Sequence, residues 1–391
     1  MAVLDSDQRQ SLVAVRSLGR LGLAVGAFDT TRAPAGFSRW CSVRALLPDP
    51  ASPAFDEALD SAIDRYEPSL IIPAHDGTIE ALRARRAELE QRVRLALAEE
   101  PALEVAIDKR RTLDLARRVG IRVPRGVEVH DGTDVRDAVV EIGLPVVVKP
   151  ARSWVTLAGA ARRLAGSLAT SPDEAERLVE RMRQAGGEVL LQEWVPGSRE
   201  SVITCHAGDD FPASFALRVL RTHPPLGGSS VVRESLPLSA ELVEPAQRLI
   251  RAARLEGVSE IEFRRDAHGH LVLMEINPRL PATVELAVRS GVDFPRLLYL
   301  WALGRPLPAP GPYRSGLRLR WLGGDLRWLV ETLRSQGHPG STPARDAALT
   351  FVRDFVRPSA YDYLDHGDPR PAAVAVSTFA WRSLSAGLRR R

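Results

Sequence analysis

The chain has 391 residues, 53 basic and 49 acidic side chains, a formal net charge of +4 and a hydrophobic fraction of 45%. At roughly 100–200 residues per domain, that length predicts two or three domains with sizeable cores. The composition is that of an ordinary globular protein, which excludes a disordered chain, a collagen-like repeat and a disulfide scaffold.

Val3-Leu4 reads as a short strand, Gln10 to Leu21 as a helix, and Leu23 to Phe28 as a buried strand ending at Asp29. Ser69 to Pro73 is a further apolar strand, followed by a helix from Asp76 to Glu90; His75-Asp76 at the strand's C-terminal end could meet a substrate, although Asp76 reads more readily as the helix cap. Strands alternating with helices predict a parallel sheet. No GxGxxG opens the first helix, so a dinucleotide site and a simple dehydrogenase lose their support. Asp108 to Gly120 is a helix with Asp108 as N-cap. Strand patterns follow at Ile121–Val129, Leu144–Pro150 and Glu188–Val195, with a helix at Ser171–Ala185. Val202–Cys205 and Ser214–Val219 extend an antiparallel pattern, and Pro224 to Ser230 reads as a loop. A helix from Ala240 to Leu255 precedes two strands, Val258–Arg265 and His270–Ile276. Prolines at 306, 308, 310 and 312 mark a boundary, beyond which the chain is expected to be mostly helical and packed.

The strands around Glu262 and Glu275 carry the strongest chemistry. Side chains alternate along a strand, so Glu275, Asn277 and Arg279 share a direction. Asp266-Ala267-His268-Gly269 is turn-like, and a two- or four-residue loop sets Glu262 opposite Leu273 or Glu275. An acid within Leu271–Ile276 is costly to bury without a cation or a hydrogen-bond partner. Two carboxylates and an amide oxygen suit magnesium, which takes few protein ligands. A salt-bridged hairpin is the plainer alternative. Only two of the basic residues are lysines, Lys109 and Lys149. Lys149 ends an apolar strand, where its ammonium must reach an anion or solvent.

Taken in order, the segments resemble the ATP-grasp superfamily over about residues 1–310. The tokens are Asp108-Lys109, Gly120 to Pro124, Val148-Lys149-Pro150, Gln192 to Gly197, Glu262-Phe263 and Glu275-Ile276-Asn277-Pro278-Arg279. Arg218 to Ser230 and the run from Arg279 to Asp293 resemble the carbamoyl-phosphate-synthetase-like ligases within it.

The resemblance implies an α/β chain with α+β elements: an N-terminal parallel-sheet domain over 1–105, a two-subdomain nucleotide-binding and catalytic unit over 106–310, and an extension over 311–391. It assigns Lys109 and Lys149 to ATP phosphates, Glu193, Trp194 and Val195 to the adenine, and Glu200 to the ribose. Glu262, Glu275 and Asn277 match the Mg2+ ligands (Mn2+ also fits), and Arg279 the phosphate-contacting arginine. Arg218 and Arg221 are candidates for an acyl phosphate or carboxylate. One departure is the phosphate-covering segment 151–166, which has only Gly159 and Gly166 and carries Trp154 and Val155.

The implied activity is an ATP-dependent carboxylate–amine ligase acting through an acyl phosphate and releasing ADP and phosphate. A carboxylating or carbamate-phosphorylating enzyme and a non-catalytic ATP-binding regulator are the alternatives. The expected partners are small-molecule carboxylates and amines, and a homodimer is left open. Residues 311–391 carry 13 arginines against seven acids, too diffuse a surplus for a nucleic-acid face. Cys41 and Cys205 lack metal-ligand spacing, no signal peptide is apparent, and Pro371–Trp381 is too short for the ~20 residues of a membrane span. A cytoplasmic location without membrane partners is expected.

Overall fold

The computed structural model describes residues 1–31, 33–157, 160–225, 227–309, 311–337 and 340–388. The first sheet is parallel, in the order β3-β2-β1-β4-β5, built from β1 (Ala2–Val3), β2 (Gly26–Asp29), β3 (Val43–Leu46), β4 (Leu70–Ile72) and β5 (Arg94–Leu95). The helices α1 (Arg9–Arg20), α2 (Phe55–Tyr66), α3 (Asp76–Ala84) and α4 (Arg86–Leu89) connect its strands, and α5 (Glu100–Ile107) and α6 (Lys109–Arg118) leave it. The helix expected from Asp76 to Glu90 is thus two helices, interrupted at Arg85. His75 caps α3, its Nδ1 accepting from Gly77 N at 3.2 Å, and Asp76 is the first helical residue, not the cap.

A smaller antiparallel sheet follows, in the order β10-β7-β11-β6. It comprises β6 (Gly126–Val129), β7 (Val146–Pro150), β10 (Ser167–Ala169) and β11 (Val189–Glu193), backed by α7 (Val135–Ile142) and α8 (Pro172–Gln184). Between β7 and β10 the chain forms a two-stranded hairpin of β8 (Trp154–Leu157) and β9 (Ala160–Arg163). Gly159 lies outside the described residues.

The largest sheet runs β16-β15-β12-β13-β14-β17-β18. Its strands are β12 (Ser198–Ala207), β13 (Asp210–His223), β14 (Ser229–Leu236), β15 (Gly257–Arg265), β16 (Leu271–Asn277), β17 (Arg318–Arg320) and β18 (Ala360–Tyr361). Helices α9 (Ala240–Ala253), α10 (Val284–Ser290) and α11 (Phe294–Ala302) accompany it. The C-terminal region contributes α12 (Leu322–Arg334), α13 (Ala344–Arg353) and α14 (Arg370–Leu388), and it also supplies β17 and β18. β17 pairs with β14, so this tail extends the sheet as well as packing helices beside it.

One apolar core joins the first sheet to the largest through α5, α6 and α9, where Leu103, Ala116 and Leu249 meet Phe263 and Ile276. A second core fills the other face, with α1 (Leu12, Leu18) against Phe215, Val284 and Phe294. Their common edge leaves the N-termini of α3 and α6 beside β15 and β16. Among the described residues, no helix is long and apolar enough to cross a membrane.

Candidate functional site

Lys109 owes its position to two backbone features. Asp108 caps α6 by accepting from Arg110 N at 3.0 Å, and Lys109 N donates to Ala151 O at 2.9 Å, tying the helix to the segment after β7. The buried Lys109 side chain then donates from Nζ to Ser153 Oγ at 2.9 Å, with Glu275 Oε2 4.0 Å away. Lys149 lies on β7, where Val146, Val148 and Pro150 face the small-sheet core and Lys149 points to the opposite side. Burial, and then the neighbouring ammonium of Lys109, lower its pKa to about 8, against the pull of Glu275 and Glu262.

The two carboxylates meet because of an irregularity in the β15–β16 hairpin. Arg265 pairs with Leu271, Arg264 with Val272 and Phe263 with Leu273, and continuation would bring Met274 opposite Glu262. A bulge passes over Met274, so Glu262 pairs with Glu275 and Glu260 with Asn277. A one-residue offset moves every later side chain to the other face. The bulge therefore brings Glu275 and Asn277 onto the side of Glu262. Of the two sequence alternatives, Glu262 stands opposite Glu275, and Leu273 stands opposite Phe263.

Around this pair, Asn277 Nδ2 donates to Glu262 Oε1 at 3.2 Å, and Arg279 Nη2 donates to Asn277 Oδ1 at 3.3 Å. Burial, joined by the charges of Glu260 and Glu275, pushes the Glu262 carboxyl up to about 8 although Arg199 opposes the shift. A divalent cation between Glu262 and Glu275 would reverse that repulsion. Among the described residues, no group of three or more His, Cys, Asp or Glu side chains is arranged to hold a metal. A cation here would have two carboxylates and one amide oxygen from the protein, leaving its other positions to water and phosphate. The donor set fits magnesium on those terms.

The other sequence candidates lie apart from this cluster or are engaged elsewhere. Glu193 accepts from Arg125 N at 2.9 Å and from Arg125 Nε at 2.7 Å, so its carboxylate fastens β11 to the chain before β6. Trp194 Nε1 is buried without a hydrogen-bond partner, and the Val195 carbonyl accepts from Arg264 Nη1 at 3.2 Å. Glu200, expected at the ribose, is 1% exposed and accepts from Arg265 Nη2 at 2.8 Å and Arg218 Nη2 at 3.3 Å. Arg218 also lies 3.7 Å from Glu234. Arg221 does not join the cluster: it is buried against Asp325 at 2.8 Å and Asp354 at 2.6 Å, with its guanidinium over the Trp328 ring. Two C-terminal carboxylates thus occupy the arginine expected near an acyl phosphate.

Two contributors, Ser153 and Arg199, escaped the sequence reading of this site, and a third, Asp76, reads first as a helix cap. Asp76, at the start of α3, accepts from Arg279 Nε at 2.6 Å. Burial favours its neutral form, but the Arg279 guanidinium outweighs this and holds the carboxyl well below the usual carboxylate range. Ser153 receives the Lys109 ammonium, and Arg199 stands 3.3 Å from Glu262. His75-Asp76 at the C-terminal end of a parallel strand was the usable local signal, since ligand sites often form there.

The chain is similar to several known proteins. Residues 187–324 match a family described as "ATP-grasp in the biosynthetic pathway with Ter operon". D-alanine–D-alanine ligase B of Pseudomonas putida is 25% identical over 215 residues, 50% of this chain and 64% of the relative. The chain therefore spans somewhat under two thirds of that ligase. The carbamoyl phosphate synthase large chain of Thermotoga neapolitana is 24% identical over 258 residues, 62% of this chain and 23% of that one. The biotin carboxylase of Campylobacter jejuni, solved as a beta-gamma-ATP complex, superposes with a TM-score of 0.65 at 17% identity, over 81% of this chain and 74% of that structure. That last likeness speaks to the fold.

Proposed function

We propose that this chain, which belongs to the ATP-grasp superfamily, is an ATP-dependent carboxylate–amine ligase that forms an acyl phosphate and releases ADP and phosphate. The observation that carries the reading is the meeting of Lys109, Glu262, Glu275, Asn277 and Arg279 on one face, with Lys149 beside them. Likeness to D-alanine–D-alanine ligase supports carbon–nitrogen bond formation. Residues 1–105 would be the N-terminal unit, 106–310 the nucleotide-binding and catalytic unit, and 311–391 an extension.

In this reading Lys109 and Lys149 set their ammonium groups against the ATP phosphates. Glu262, Glu275 and Asn277 would hold Mg2+ or Mn2+, which when bound neutralises phosphate charge. Glu193 to Val195 would border the adenine. Glu200, engaged by Arg265 and Arg218, would reach the ribose only if it gave up one of those contacts. A substrate carboxylate attacks the γ-phosphorus and ADP departs. An amine nitrogen then attacks the acyl carbon, the bond to phosphate breaks, and the nitrogen loses its proton. Arg279, kept in place by Asp76, spreads the charge of the transferred phosphoryl group. Positioning and charge stabilisation do the catalytic work, with no covalent nucleophile.

The test is incubation with MgATP, pooled carboxylic acids and hydroxylamine, which traps activated acyl groups as hydroxamates. ADP with hydroxamate supports the ligase, whereas AMP with pyrophosphate overturns it. A carboxylating enzyme is the second reading, favoured by the fold likeness to biotin carboxylase, and bicarbonate-dependent ADP release would select it.

A further inference from the structure

A second hollow lies away from the proposed catalytic face, between the end of α1, the side of α10 and residues 359–366 of the C-terminal region. Its free volume is about 400 Å³, within the roughly 300–1,000 Å³ of small-molecule sites. α1 starts at the C-terminal edge of the first sheet, the edge that presents Asp76, and Gln10 Nε2 donates to Ala74 O there at 2.7 Å. Each helical residue rises about 1.5 Å, so Arg20 at the far end of α1 stands near the opposite edge, about 16 Å away.

Two arginines and two carboxylates line the hollow, and they do not exhaust one another. Arg20 Nη2 donates to Asp365 Oδ2, and Asp365 Oδ1 accepts from Gly367 N at 2.9 Å, so Asp365 is satisfied. Arg289 donates from Nε to Glu285 Oε1 at 2.7 Å and from Nη2 to Leu364 O at 2.6 Å. Glu285 is only 8% exposed, yet its Oε2 accepts no hydrogen bond among the described residues. A carboxylate oxygen so placed is costly without a donor. Burial pushes the Glu285 carboxyl above its ordinary range against the pull of Arg289, a shift that a second cation would oppose. Arg289 Nη1 and Arg20 Nε and Nη1 likewise donate to nothing among the described residues. Val288 and Leu364 add apolar surface beside these groups.

We propose that this hollow is a binding site for a free amino acid with an apolar side chain, separate from the nucleotide face. The α-ammonium meets Glu285 Oε2, the α-carboxylate takes the open N–H groups of Arg289 and Arg20, and the side chain lies on Val288 and Leu364. A simple anion leaves Glu285 facing it, and a simple amine leaves two guanidiniums unused. A zwitterion answers both signs at once.

The experiment is calorimetric titration of the full chain, without nucleotide, with leucine, with leucinamide, which lacks the carboxylate, and with 4-methylpentanoate, which lacks the ammonium. Leucine is expected to bind once per chain, and each analogue about tenfold more weakly or worse, because each leaves one charged partner unmet. Glu285→Gln and Arg20→Ala should each weaken leucine by about tenfold or more. Should leucine fail, alanine, methionine and phenylalanine are titrated in turn, with the matching amide and deaminated acid. Binding of none of them overturns the site, as does an analogue that binds as tightly as its amino acid. An affinity unchanged in a variant whose circular dichroism matches the wild type places the amino acid elsewhere and also overturns it. If Glu285→Gln fails to fold, Arg20→Ala, a change at a side chain 44% exposed, decides alone. No nucleotide or turnover enters the measurement, so its failure leaves the ligase reading standing.

Discussion

Lys149 sits where burial and a second ammonium both disfavour its charge, yet it has Glu262 and Glu275 across the cleft. Such a group is held ready for a polyanion. Lys149→Ala is predicted to lower kcat/KM for MgATP by about 100-fold or more, as removal of one charge-stabilising donor does. Lys149→Arg should recover little, because a planar guanidinium does not replace a compact ammonium in a confined place. Steady-state kinetics at varied MgATP checks both. Asp76 acts through Arg279, and Asp76→Asn should lower kcat by about 10- to 100-fold, the range seen when an outer partner of a site ligand is lost. A KM for ATP close to that of the wild type would mark it as a positioning residue, and a fall in KM alone would contradict that role. The lysines were legible at this scale because they are the two lysines among 53 lysine and arginine residues. Asp76 was legible only as a strand-end residue, since nothing local pairs it with an arginine 203 residues away, and Ser153 was not legible.

Elements were most legible where a cap announces them. Asp108 caps α6 as the sequence predicted; the structure adds a cap on α8, where Ser171 Oγ accepts from Glu174 N at 3.3 Å while Glu174 Oε2 accepts from Thr170 N at 2.8 Å. Removing that cap with Ser171→Ala should destabilise the protein by about 1 kcal/mol, read as a lower urea midpoint with an unchanged slope. The β15–β16 pairing shows what pattern reasoning leaves open. The alternation of acids and apolar residues admits either register, and the bulge at Met274 chooses the one that collects Glu275 and Asn277 beside Glu262. Bulges answer to packing on both faces of a sheet, which no single strand encodes. The segment 151–166 was similarly opaque. Its glycine-poor sequence suggested an unusual loop, whereas it forms a hairpin whose Trp154 packs on α3.

Across the whole molecule, buried ion pairs bind the C-terminal region to the rest. Arg233 and Arg9 lie 2.6 and 3.0 Å from Asp362, and Arg16 lies 2.9 Å from Asp368. Removing one partner strands a buried charge, so Asp362→Ala is predicted to cost about 3–5 kcal/mol. Burial alone would raise the Asp362 carboxyl, but Arg233 and Arg9 outweigh it and hold it below the ordinary range. Its contribution is therefore complete above the unfolded-state pKa of about 3.9 and is lost as pH falls from there toward the folded value. Unfolding by urea should show the wild type and Asp362→Ala converging as pH drops below about 4. The pattern of strands and helices made the sheets legible in outline. These ion pairs were hidden, since more than 350 residues separate Arg9 from Asp362.

The central claim, phosphoryl transfer to a carboxylate before amide formation, has a direct measurement. Carboxylic acids labelled with oxygen-18 in the carboxyl group are supplied with MgATP and a small amine, and the released phosphate is examined by phosphorus NMR. The account predicts one labelled oxygen in the phosphate, in step with ADP. Label in AMP, or unlabelled phosphate accompanying amide formation, would contradict it.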